Sequence, residues 1–413
     1  MDKNPRELYR ERLKRIEDAT QVKKPDRVPI LLELGYLIAR YSGITYQETI
    51  YDHANCTKAY QKTITGLEPD VFYCLPFDSG PAMETIDTRT MKWPGHGLPP
   101  NQGIQYVEGE YMLADEYDSF LESPTDFMLK TYLPRSCGAL GSFRKFPGWS
   151  SFLGIPRGRA APIFTDPEFV NACRAIYQTS LLTQEWNTAW RNCVEDIEGK
   201  GYPALTLLGV QAPFDFFSDL LRGMKGIMLD MYRQPDKLLA AMNAILPILT
   251  RSIDSITKTS KNRLVFLGPH RGAEGFMSLK QFEKFYWPGL KAVILGLIEG
   301  GFTPCILWEG DYTSRLKYLL ELPPGKIINR FDRTDIYKAR EVLGQHHCIA
   351  GGMLPSLLQI GSIQEVKDEC KRLIEVVGRD GGYVMSHSTP LDEARIENIR
   401  AMIDVTREFG NYR

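Results

Sequence analysis

The sequence predicts a (β/α)8 barrel, and three observations predict it. Eight short apolar runs recur along the chain. Most are separated by stretches with helical periodicity. Nearly every run closes on polar or charged residues. Strands alternating with helices imply parallel pairing, and eight such units suggest closure into a barrel. At 413 residues with 43% hydrophobic content, the chain can build such a core with additions to spare. An open doubly wound sheet is the alternative. No G-x-G-x-x-G follows the first strand, which argues against a dinucleotide-binding version.

Residues 5–20 read as a charged helix with a thin apolar stripe of Leu8, Leu13 and Ile16, within an extension over 1–27. The Pro-bounded run KKPDRVPILLELG gives the first strand, Pro29–Leu34. Residues 34–64 are mostly helical, with Tyr46, Ile50 and Tyr51 spaced for one face. The second strand is Val71–Pro76. Residues 81–165 break the rhythm. TRTMKWPGHGLPP and NQGIQYVEGEYMLADEYDSFL are rich in Gly, Pro, Tyr and Trp and read as an insertion over the barrel mouth. Helix returns over 123–135 at the SPTDF cap signal, and a long helix follows over 167–199. The remaining strands are Ala204–Val210, Arg263–Gly268, Pro304–Glu309, Lys326–Arg330, His347–Gly351 and Gly382–Ser386, alternating with helices up to the closing DEARIENIRAMIDVTREFG. The whole of 1–413 reads as one barrel domain.

Composition narrows the function. With 50 basic and 51 acidic residues, no basic surplus points to nucleic acid. The eight Cys are scattered without a C-x-x-C pair, which is neither a disulfide framework nor a zinc knuckle. MDKNPRELYRERLKR lacks the apolar core of a signal peptide, and no apolar run approaches a membrane span. A cytoplasmic location is expected, with no membrane or nucleic-acid partner.

In this architecture chemistry collects at the C-terminal ends of the strands. Those ends carry Glu33, Asp78, Gln211, His270, Glu309, Asp332 and His387. Glu33 could instead cap the next helix, and Asp78 could be a turn former. Glu309 and Asp332 each end an apolar strand, where an unpaired carboxylate is costly to bury. A metal, a substrate donor, or a salt bridge to Arg271, Arg330 or Arg333 would resolve that cost. His270, Glu309, Asp332 and His387 are the candidates for acid/base work. Glu33, Asp78 and Gln211, with Trp93 and Tyr106 of the insertion, are the candidates for substrate contact. Two His and a carboxylate form a known catalytic zinc set, so His270, Glu309 and His387 are also candidate metal ligands. His346 and His347 precede a strand and belong at the opposite face. His53 and His96 lack the strand-end context.

Three stretches resemble the uroporphyrinogen decarboxylase superfamily: LLGVQAPFDFFSDLLRGMKGIMLDMYRQPDKLLAAM, MSLKQFEKFYWPGLKAVI and GGYVMSHSTPLDEARIENIRAMID. The resemblance implies a (β/α)8 barrel with an N-terminal helical extension. The porphyrinogen decarboxylases of that superfamily hold substrate carboxylates with an Arg-rich loop after the first strand. Here that place reads LLELGYLIARYSG, with Glu33 and no Arg before Arg40. The other large branch moves methyl groups between small molecules and corrinoid proteins. Its thiol-specific members hold zinc through His-x-Cys and a later Cys. Here the pair is His270 and Gly272, and Gly351 and Gly352 stand where the later Cys belongs. Glu274 is an oxygen donor that could replace the missing sulfur, as a fourth candidate ligand.

What remains resembles the substrate-side methyltransferases of O-demethylase systems. It implies transfer of a methyl group from a small donor, an aryl methyl ether in the first instance, to cob(I)alamin. The cobalamin would be carried by a corrinoid-binding partner protein or docked at the barrel mouth, with zinc as an optional metal. Dimers are common in the superfamily, so a homodimer is among the assemblies it allows. The alternative is a decarboxylase or other lyase acting on a small carboxylic acid or a tetrapyrrole.

Overall fold

The computed structural model describes residues 4–412 apart from 75–76, 160–161 and 260–262. Its main sheet has eight strands: β1 Leu31–Glu33, β2 Val71–Cys74, β3 Ala204–Leu207, β4 Leu264–Leu267, β5 Thr303–Trp308, β6 Ile328–Phe331, β7 Cys348–Met353 and β8 Tyr383–His387. They pair in chain order and all are parallel. A parallel bridge between Ile30 and Met385 joins the first strand to the last, so the sheet is a closed (β/α)8 barrel. Each expected strand overlaps an observed one, with ends shifted by up to three residues. Leu75 and Pro76, the last two of the second expected strand, lie outside the described residues.

Side chains on a strand alternate between its two faces, and here the alternation sorts two cores. Leu31, Val71, Tyr73, Leu205, Leu264, Cys305, Ile328, Cys348, Ala350 and Val384 point into the barrel and form one cluster. Their neighbours Leu32, Phe72, Val265, Ile306, Ile349, Tyr383 and Met385 face the surrounding helices and join the larger core.

The helix Pro5–Thr20 closes the barrel floor. Its N-cap Asn4 accepts from the Arg6 N–H, and its Ile16 and Ala19 pack into the interior cluster. Asp70, fully buried just before β2, ties this helix to the strands. It accepts from Arg15 Nη1 at 2.5 Å, from Arg27 Nη1 and Nη2 at 2.7 and 2.8 Å, and from the Ile30 N–H at 2.9 Å.

The insertion after β2 holds a small three-stranded sheet of Met91–Pro94, Gly97–Leu98 and Gln105–Tyr106. Short α-, π- and 3-10 turns follow, then the helix Pro167–Gly199. Buried Arg222 fixes the insertion to the connection after β3. It donates to Asp230 at 2.6 Å and to the Met112 carbonyl at 2.5 Å, and the Tyr117 hydroxyl meets Asp230 at 2.8 Å. Among the described residues no helix is long and apolar enough to cross a membrane.

Asp70→Ala should therefore leave Arg15 buried without its interior partner. Urea denaturation is expected to show a loss of about 3–5 kcal/mol. A loss below about 1 kcal/mol would show that the floor does not depend on this carboxylate.

Candidate active site

The alternation that sorts the core also decides which strand-end residues reach the mouth. Glu33 continues the inward register of Leu31, and His270 that of Leu264 and Phe266. Glu309 continues from Cys305, and Asp332 from Ile328 and Arg330. His387 follows Tyr383 and Met385, which face outward.

His270 is the centre of the site. Its Nδ1 lies 2.6 Å from Asp219 Oδ2, and its Nε2 lies 3.8 Å from Glu309 Oε1. The side chain is 39% exposed, so the ring reaches the open mouth. Burial works against a charged ring. The hydrogen bond to Asp219, with the carboxylates of Glu309 and Asp215, outweighs it and raises the His270 pKa to about 9. The imidazolium form therefore prevails at neutral pH.

The loop that carries His270 is held from below. Fully buried Asp215 accepts from the His270 and Arg271 N–H groups, both at 3.1 Å, and from the Tyr286 hydroxyl at 2.7 Å. Burial, set against the pull of His270, raises its pKa to about 6. Asp215 and Asp219 stand four residues apart, at the start of the helix after β3 and in the π-helical turn Phe216–Arg222 that follows. Asp215 closes YPALTLLGVQAPFD, near the end of the third expected strand, and Asp219 lies beyond it. The D-x-x-x-D spacing in APFDFFSD was the available signal, because it puts two carboxylates on one helical face.

The other expected residues divide. Glu309 lies beside His270. Burial raises its pKa, His270 opposes, and Glu33 and Asp332 add to the rise. Glu33 is buried against Arg330, with Oε2 2.6 Å from Nη1. Asp332 accepts from the Gly310 N–H at 3.0 Å and is largely covered. Asp78 is exposed at its surface, and the protein around it limits its hydration and raises its pKa. Tyr106 is 82% exposed. Its hydroxyl nevertheless lies within electrostatic reach of three carboxylates. Reduced hydration there raises its pKa, and Asp78, Asp219 and Glu309 contribute. Gln211 is half-buried on the loop after β3.

Three expectations are corrected. His387 is fully buried. Its Nδ1 lies 2.6 Å from the Thr389 carbonyl, an obligate acceptor, and its Nε2 accepts from the Glu33 N–H at 3.1 Å. Both nitrogens are committed. Burial, then Arg330, lowers its pKa to about 3, so it is a neutral structural residue. Glu274 caps the next loop, taking the Ser314 N–H at 2.6 Å with Arg315 Nη1 3.8 Å away. Trp93 is fully buried inside the insertion. Its indole N–H donates to the Tyr51 hydroxyl at 3.0 Å, and its ring stacks on His96 at 4.3 Å.

The candidate zinc set of His270, Glu274, Glu309 and His387 accordingly does not converge. Among the described residues no group of three His, Cys, Asp or Glu is placed to hold a metal ion. Gly272 adds a second reason. A Cβ there would fall 2.5 Å from Tyr286 Cε1 and 2.7 Å from the Tyr312 hydroxyl. Two buried tyrosines occupy the space a cysteine side chain would need.

The fold and this mouth define a (β/α)8 barrel with its polar residues gathered at the C-terminal ends of the strands. Residues 192–409 match the family described as Uroporphyrinogen decarboxylase (URO-D). The match covers more than half of the chain, and the protein belongs to that family. Among solved structures, a methyltransferase from Methanosarcina mazei superposes with a TM-score of 0.62 at 14% identity, covering 96% of this chain and 98% of that one. At that identity the likeness concerns the fold. No curated protein matches the sequence.

Gly272→Ala should destabilise the His270 loop by about 1–3 kcal/mol, read as a lowered Tm. Tyr286→Phe, which takes a donor from the fully buried Asp215, should also cost about 1–3 kcal/mol. An unchanged Tm for Gly272→Ala would show that the tyrosines yield easily.

Proposed function

We propose that the protein is a methyltransferase. It would take the methyl group of a small O-methyl donor, an aryl methyl ether by first choice, and deliver it to cob(I)alamin on a partner corrinoid protein. The observation that carries this reading is the Asp219–His270–Glu309 array. Family membership and the fold shared with a methyltransferase support the same class.

An ether carbon is a poor electrophile, because alkoxide or phenolate leaves reluctantly. A proton delivered to the oxygen as the carbon–oxygen bond breaks removes that obstacle. His270 is suited to deliver it. It is protonated at neutral pH, Asp219 fixes its orientation through Nδ1, and Nε2 faces the mouth. Asp215 holds the loop in place through two backbone N–H groups. Glu309, beside Nε2, favours the imidazolium before transfer and can accept a hydrogen bond from the donor molecule. Asp332 and the Arg330-paired Glu33 lie close enough to Glu309 to help raise its pKa, and the Tyr106 hydroxyl lies within electrostatic reach of Glu309.

The mouth is compatible with a corrin face. Leu207 at the end of β3, Val107 beside Tyr106 and Leu354 just past β7 are exposed apolar side chains on the barrel's mouth side. Bound there, cob(I)alamin supplies the nucleophile that receives the methyl group. The zinc set does not fit, and no step is assigned to a metal.

Protein mixed with cob(I)alamin and a panel of methoxyarenes should give the methylcobalamin spectrum with at least one of them. No spectral change across the panel overturns the reading. His270→Gln should lower the transfer rate by at least about a hundredfold. The acid form of His270 is full below pH 9 and lost above it, so the rate should fall as pH rises through about 9. Asp219→Asn removes the hydrogen bond that raises this pKa, so the alkaline limb of the profile should move to lower pH. A limb that stays in place would remove His270 as the proton donor.

A further inference from the structure

The 33-residue helix Pro167–Gly199 is packed on one side only. Phe169 and Ala172 join the small apolar cluster of the insertion, and Trp186, Cys193 and Ile197 join the main core. The opposite face carries a stripe of Val170, Arg174, Tyr177, Leu181, Gln184 and Thr188. Its spacing alternates between four and three residues, the pattern of a helix that pairs with another helix. Tyr177 at its centre is 65% exposed and Leu181 is 48% exposed. Covering those two side chains would take apolar surface out of water.

Two shallow hollows lie along the stripe. One is bounded by Val170, Cys173, Arg174 and Tyr177, with Phe164 and Phe169 at its end. The other is bounded by Leu181, Gln184, Glu185 and Thr188. Each set of four follows the i, i+3, i+4, i+7 spacing of the hole that receives one side chain of a facing helix. The two holes differ in charge. Arg174 rims the first. Among the described residues it makes no ion pair, and its Nη1 donates to Asn171 Oδ1 at 3.3 Å. Glu185 rims the second. Its side chain is 67% exposed, with His53 Nε2 3.2 Å from one oxygen.

We infer that this face binds a second copy of the same chain, helix against helix and antiparallel. Arg174 and Glu185 stand at equal distances on either side of a point between Thr179 and Ser180. A two-fold axis through that point sets Arg174 of each copy in the Glu185 hole of the other. It also sets Tyr177 of each copy against Leu181 of the other, so the apolar centre covers itself. The eleven residues from Arg174 to Glu185 make about three helical turns. Both side chains therefore project to the same side of the stripe, as an isologous contact requires. A parallel pair would set Arg174 against Arg174 and Glu185 against Glu185, with like charges together. One helix pair covers less than the about 800 Å² per copy of a standard interface, so a dimer of micromolar affinity is expected.

The test is sedimentation of the full-length 47.0 kDa chain at concentrations from about 1 to 200 µM. A species of twice that mass is expected to form across this range. Leu181→Asp should weaken the dimer at least about tenfold. Arg174→Glu and Glu185→Arg should each do the same, because each sets like charges together. An equal mixture of these two variants should return to within about threefold of the wild-type affinity, since each chain carries the charge the other lacks. All three positions are exposed, so each variant should keep the wild-type Tm, which checks its fold. A wild type that stays monomeric throughout, a dimer that Leu181→Asp leaves intact, or a mixture that does not recover overturns the inference.

Discussion

A closed barrel of parallel strands admits only every second side chain to its interior, and the rest of this molecule follows from that constraint. The inward register is filled at the floor by Leu31, Val71, Leu264, Cys305 and Ile328, and the N-terminal helix seals it through Ile16 and Ala19. One or two steps along the same register the apolar residues give out. Glu33, Arg330, Glu309, Asp332 and His270 take their place. Apolar closure below and polar enrichment above are two halves of one pattern. The buried Asp70 cluster at the floor and the Glu33–Arg330 pair above the apolar layer bracket it. Each sets a carboxylate where an unpaired charge would be costly, and each supplies guanidinium partners.

The same constraint explains how much was legible in the sequence. Apolar runs at regular intervals announced eight strands, because a strand buried on both faces must be apolar almost throughout. Where the mouth lies followed from strand direction. A strand end alone does not bring His387 to the mouth, because its place in YVMSH puts it in register with Tyr383 and Met385 on the outer face. Counting by twos from Val384 would have separated it from His270. Glu274 and Trp93 depart from expectation for another reason. Loop and insertion geometry is set by contacts distant in sequence, such as Ser314 for Glu274 and Tyr51 for Trp93, and no local period records them. Asp215 and Asp219 lie on a helix rather than at a strand end, where strand periodicity says nothing about them.

The helices that surround His270 are irregular where they approach it. Phe216–Arg222 and Phe282–Tyr286 are both π-helical turns. The first carries Asp219 to the imidazole, and the second ends on Tyr286, which meets Asp215. A π-turn widens the helix by one residue and re-aims the side chains on that face, usually at functional sites. Here two of them converge on one loop. The loop's own residues are correspondingly small or engaged, and Gly272 leaves just enough room for the tyrosines beneath it.

That last contact links packing to chemistry. Tyr286 and Tyr312 fill the volume under Gly272, and burial drives both phenols well above their ordinary pKa, so they stay neutral. Neutral phenols suit a loop meant to hold a proton. They add no charge to compete with Asp219 for the imidazole, and the Tyr286 hydroxyl supports Asp215, which fixes the His270 backbone. A thiolate at the same point would bring a negative charge and a soft metal ligand, and the tyrosines leave it no volume. The residue that decides what this loop can hold is thus the absent side chain of Gly272. In the proposed reaction the tyrosine floor, Asp215 and Asp219 act together to keep a charged imidazole in a fixed orientation, facing the oxygen that has to leave.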